Sequence, residues 1–207
     1  MNTQTVLDRY GKHVLSTKNF DHILSDIARN VVRKLRLHPS GIDPKLFVVE
    51  SATDEEVEKM AVKMITMSIE KEMARGSEGD RDLFLLLLGS SFVSRRIIPS
   101  ALYLVSEAWI KDIKGKDSVG KVDDKVREVI IVAGLTIDGR ANLIEIPVRR
   151  NKDGDIFKMN SVGIHFTSEM PAKNDSILEE IFKGFTTAVE ATTTSQLLQK
   201  LKKDTDQ

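Results

Sequence analysis

The chain has no cysteine, which closes disulfides, thiolate metal sites, iron–sulfur clusters and cysteine nucleophiles to it. Aromatic residues make up only 5%, and Trp109 is the chain's single tryptophan. Neither charge sign dominates: 31 Lys and Arg balance 31 Asp and Glu. A net charge of zero gives no overall field towards phosphate backbones, and nucleic-acid binding is disfavoured. Long apolar runs are missing as well. Leu83 to Leu88 is the longest, far short of the roughly 20 residues a helix needs to cross a bilayer, so no membrane association is expected. Met1 to Lys12 lacks the apolar stretch of a secretory signal, which makes the cytoplasm the expected compartment.

What is present suffices for one core. With 207 residues, 41% hydrophobic and 30% charged, the chain reads as one soluble α+β domain over 1–190. The segment 191–207, rich in Thr, Lys and Gln, is expected to be a frayed or disordered tail.

Apolar residues at Phe20, Ile23, Leu24, Ile27, Val31 and Leu35 lay one stripe along a helix, with Asn19 as its expected N-cap. A shorter helix is expected over Val6 to Leu15, and His38, Pro39 and Gly41 break the pattern. Lys45 to Glu50 reads as a short strand. Thr53 and Glu56 have capping-box spacing and predict a second helix, with Val57, Met60, Ala61 and Met64 as its buried stripe and Gly76 as its C-cap. Leu83 to Leu88, bounded by charged residues and by Gly89, Ser90 and Ser91, reads as a buried strand, although a buried helix would show the same run.

The strongest local signal is a pair of Asp-Gly dipeptides, Asp138-Gly139 and Asp153-Gly154, between strand-like runs. Two-residue turns there set Ala133, Ile131 and Val129 opposite Ile144, Ile146 and Val148, Glu128 opposite Arg149, and Val148 opposite Met159. Ala101 to Ile110, apolar on both sides, reads as an inner strand, and Lys111 to Lys125 as an exposed connection. Ile177, Leu178, Ile181, Phe182, Phe185 and Val189 predict a C-terminal helix capped by Asp175 or Ser176 and lying across the sheet. The expected architecture is an antiparallel meander of about four to five strands with helices packed on one face.

No motif names a reaction. Gly115 to Lys121 matches most of a phosphate-binding loop, but Val122 stands where a Ser or Thr must hold Mg²⁺, and a strand follows where a helix is needed. His13, His22, His38 and His165 lack paired metal-ligand spacing. Asn151, Asp153 and Asp155 begin like a calcium loop, yet Ile156 and Val162 occupy the positions of its Gly and Glu, so a hairpin turn is the better account. No catalytic, cofactor-binding or metal-binding residue is therefore assigned, and no cofactor is expected. There remains Glu107, an acid inside an apolar strand that shares its face with Trp109. It needs solvent or a cation such as Arg149, Arg150 or Arg127, and Glu107, Trp109, Glu128 and Arg149 form the candidate ligand or partner surface.

Val105-Ser106-Glu107-Ala108-Trp109, then Arg127 to Val132, then Asp138-Gly139-Arg140, resembles small uncharacterised prokaryotic and phage-associated proteins with a Ser-Glu-Ala-Trp strand. The resemblance spans about Ala101 to Arg150 and implies a sheet arrangement without catalytic residues. The leading functional expectation is a non-enzymatic interaction or accessory module acting through the sheet face or an edge strand, with protein partners and a homodimer or other homo-oligomer. The alternative is a small hydrolase or ligand-binding enzyme with its site near Glu107 and Trp109.

Overall fold

The computed structural model describes residues 14–50, 52–69, 78–111, 126–159 and 177–205. In chain order these form α1 (Thr17–Leu37), β1 (Lys45–Glu50), α2 (Asp54–Glu58), β2 (Lys63–Ser68), α3 (Glu78–Ser94), β3 (Pro99–Lys111), β4 (Val126–Thr136), β5 (Ala141–Arg150), β6 (Ile156–Met159) and α4 (Ile177–Thr205). The strands make an antiparallel sheet in the order β2-β1-β3-β4-β5, and the short β6 extends it beyond β5. The α+β class and the antiparallel sheet are those expected, with the meander confined to β3 to β6 because β1 pairs directly with β3. The early helix expected over Val6 to Leu15, apart from Val14 and Leu15, which are not helical, the loop motif at Gly115 to Lys121, His165, Gly76 and the caps Asp175 and Ser176 lie outside the described residues.

Alternation along the inner strands explains the layering. Ala101, Tyr103 and Val105 of β3 join Ile130, Val132, Ile144 and Ile146 in a core beneath α1. Leu102 and Leu104 point the other way, into a second core with Leu85, Phe92, Ile181 and Phe185 of α3 and α4. Helices therefore cover both faces rather than one. The physical reason is that β1 and β3 carry apolar side chains on both sides, and one helical layer cannot bury both.

Leu83 to Leu88 belongs to α3, which corrects the expected strand. Leucine favours helix, and the run continues through Gly89 into Phe92, so Leu85, Gly89 and Phe92 form a buried stripe four and three residues apart. Gly89 is a crossing point rather than a stop: a Cβ there would fall inside the Ile181 carbonyl, and one at Gly184 inside the Leu86 carbonyl. Ser90 Oγ seals the contact by donating to Leu86 O at 2.9 Å and Gly184 O at 3.1 Å. α4 continues as helix to Thr205, into the segment whose composition suggested fraying.

The second helix is also shorter than its apolar spacing predicts. The Thr53 and Glu56 capping box forms, but α2 ends at Glu58 and Met60 takes a left-handed φ of 55°. Met60 and Met64 are exposed rather than buried: Met60 lies in the turn after α2, and Met64 belongs to Lys63 to Ser68, which pairs with β1 as strand. Sheet pairing outweighs a weak helical period here. In α1 the N-cap is Ser16, whose hydroxyl accepts from Asn19 N at 3.3 Å. Asn19 lies inside the helix, and its amide instead donates to Asp54 Oδ1 at 2.9 Å, tying α1 to α2.

Both Asp-Gly pairs make turns. At Asp138-Gly139 the loop has three residues, with Thr136 N donating to Arg140 O at 2.9 Å and Gly139 at φ 87°. The β4–β5 register therefore slips by one from the expected pairing: Val132 faces Ile144 and Ile130 faces Ile146. Ile130 and Val132, not Ile131 and Ala133, are the residues beneath α1. At the second turn Asn151 N donates to Asp155 O at 2.8 Å, and a bulge between Arg149 and Arg150 restores the expected Val148 to Met159 pair.

Candidate functional site

On β3 the residues facing α1 run Tyr103, Val105, Glu107 and Trp109. Strand β1 ends its pairing where Lys45 meets Val105, so Glu107 and Trp109 stand beyond it, beside the loop that leaves α1. There Glu107 Oε1 accepts the Ile42 N–H at 2.9 Å, and Oε2 accepts Arg150 Nη2 at 2.8 Å. Arg150 Nε donates to Glu128 Oε1 at 2.6 Å, while Nη1 donates to Gly154 O at 2.7 Å and Ser40 O at 3.2 Å. One guanidinium thus clasps β3, β4, the 151–155 turn and the loop after α1. Gly41 makes room for it: its φ is 128°, and a Cβ would lie 2.5 Å from Glu107 Oε1.

Burial alone would lower the Arg150 pKa, but the hydrogen bond and charge of Glu128 and those of Glu107 hold it above the ordinary arginine value. Both carboxylates are committed to a cation that does not deprotonate. Such a cluster is suited to fixing strand ends, and it leaves Trp109 71% exposed beside it, paired across the ladder with Glu128. Of the four sequence candidates, Glu107, Trp109 and Glu128 meet at this place. Arg149 is exposed and pairs with neither acid among the described residues. The slipped register places Arg150 on the Glu128 face, where a two-residue turn would have placed Arg149.

A second polar network lies at the start of α1. Asp54 Oδ1 accepts Ser16 N at 2.7 Å as well as the Asn19 amide. Burial raises the Asp54 pKa, but these hydrogen bonds and the Arg140 charge outweigh it and hold the carboxyl below its ordinary value. Arg140 binds Asp138 at 2.8 Å, Thr17 Oγ1 at 3.0 Å and the Leu15 carbonyl. Nothing in the local spacing of these residues announced the network, because it joins positions more than a hundred residues apart. Among the described residues no group of His, Asp and Glu side chains could hold a metal ion, and no helix is long and apolar enough to cross a membrane.

The sheet edges complete the inventory of surfaces. Ile69 N donates to Pro44 O at 3.2 Å, directly opposite in the β1–β2 register. Since antiparallel pairs alternate, Ile65 and Met67 turn their backbone groups towards β1, and Met64, Thr66 and Ser68 turn theirs outward. No strand pairs with that side among the described residues.

No family model, curated protein or solved structure matches this chain. Function therefore has to be read from the surfaces. The β2 edge is the most distinctive of them: its central residues, Met64, Ile65, Thr66 and Met67, are uncharged, and the strand has neither proline nor bulge in its pairing. Proteins ordinarily blunt such an edge with charge, proline or a bulge.

Proposed function

We propose that the chain is a non-catalytic interaction module that pairs with a second copy of itself through β2, strand against strand about a twofold axis near Thr66. The observation that carries this reading is the outward set of N–H and C=O groups at Met64, Thr66 and Ser68. An antiparallel strand related by a twofold axis satisfies them reciprocally, which is the self-complementarity a symmetric dimer needs. Met64, exposed on that strand, supplies an adaptable apolar contact across the joint.

Thr66→Pro tests it directly. The substitution removes an outward N–H and leaves the β1–β2 ladder intact, as an edge proline can. Light scattering should give twice 23.2 kDa for the native chain and 23.2 kDa for the variant, with the same thermal midpoint at low protein concentration. A native chain that stays monomeric at every concentration, or a Thr66→Pro variant that still dimerises, sinks the reading.

A further inference from the structure

α1 covers its face of the sheet unevenly. Its packing onto the strands is concentrated on β4 and β5. Towards β1 and β2 a cavity of about 170 Å³ remains between helix and sheet. Ile27 and Val31 of α1 and Val105 of β3 line it as buried residues, and Phe47 and Ile42 add further apolar wall.

Two residues of the wall, Lys34 and Lys45, are cationic. Neither ammonium is ion-paired among the described residues, whereas Lys59, Lys63 and Lys183 each hold a carboxylate. An apolar chamber flanked by two uncompensated cations is complementary to a molecule with an apolar body and one negative end. Size narrows the class. A dry apolar cavity of about 150 Å³ accepts benzene, so this one suits a single ring or a chain of about six carbons.

We propose that this cavity binds small organic anions of that size, alkyl or aryl carboxylates, with the apolar body against Ile27, Val31 and Val105 and the carboxylate at Lys34 and Lys45. Met64 and Thr66 of β2 also line the cavity, which therefore adjoins the strand pairing proposed above without requiring it.

Hexanoate and hexylammonium, which share a tail and differ in charge, are the probes. The protein carries ¹³C-labelled Ile, Val and Met methyls and is titrated at constant ionic strength. Hexanoate should shift the Ile27, Val31, Met64 and Val105 methyls saturably, and hexylammonium should bind about tenfold more weakly or not at all. In the Lys34→Gln/Lys45→Gln double variant, whose changes are at exposed or half-buried positions, hexanoate should lose about tenfold while hexylammonium is unaffected. The unliganded methyl spectrum of that variant reports its fold. Absence of saturable shifts, shifts scattered away from these methyls, equal response to both probes, or an unaltered hexanoate affinity in the folded double variant would each overturn the proposal.

Discussion

The two open sides of the sheet are built to opposite rules. Along β5, Thr136 N bonded to Arg140 O sets the alternation, so Ala141, Leu143, Glu145 and Pro147 direct their backbone away from β4. Pro147 has no N–H to offer there, Glu145 brings a charge, and β6 closes the far end of the strand. Along β2 the outward positions are Met64, Thr66 and Ser68, with neither charge nor proline among them. A proline in the β5 ladder is harmless only at a position whose N–H already faces outward, so the guarded side is specified one residue at a time. The difference shows that edge protection is local chemistry rather than a property of the sheet.

The largest expected effect disturbs the helical platform beneath the middle of the sheet, where α4 meets β3 and β4. Gly184→Val drives a branched side chain into the Leu86 backbone where α3 and α4 cross, and should lower the unfolding free energy by about 3 kcal/mol, read from the urea midpoint. A loss under about 0.5 kcal/mol would mean that the crossing does not support the sheet.

Arg150→Met acts at the β5–β6 end alone. It leaves Glu128, whose side chain is 9% exposed, without its cation, and should cost about 2 kcal/mol. Amide exchange should rise first over 151–156, with β2 unaffected. Equal loosening at both edges would show that the clasp serves the whole sheet.

Pro147→Thr is the mildest change and the sharpest contrast. It restores an outward N–H on β5, and stability should stay within about 0.5 kcal/mol. Light scattering should then reveal assemblies beyond the dimer as the second edge becomes competent. An unchanged mass would mean that Glu145 and β6 guard that side without the proline.

Much of the local structure was legible from residue order. The stripe from Phe20 to Leu35 became α1, Thr53 and Glu56 made their capping box, Ala101 to Ile110 became an inner strand, and both Asp-Gly pairs turned the chain. Side-chain period and turn chemistry act within a few residues, so they can be read without knowing the fold. The candidate surface was legible in part. Glu107 and Trp109 announced themselves as an acid and the lone tryptophan in an apolar strand, but the partner cation depended on register.

That register is where local reading stopped. Asp138-Gly139 accommodates a two-residue or a three-residue loop, and choosing between them exchanges Ile131 for Ile130 in the core and Arg149 for Arg150 in the clasp. The leucine run was ambiguous for a related reason: six consecutive apolar residues carry no period that separates helix from strand, and the fold buries only Leu85 among them while leaving Leu83 and Leu87 exposed. Only contact with α4 at Gly89 and Gly184 marks α3 as a helix crossing closely over another. Composition and periodicity by themselves determined that this protein has an antiparallel sheet with helices and where its chain turns. The tertiary structure decided which faces are covered, which arginine holds the two acids and which edge lies open, because each of these depends on pairing between segments that short-range preferences cannot distinguish.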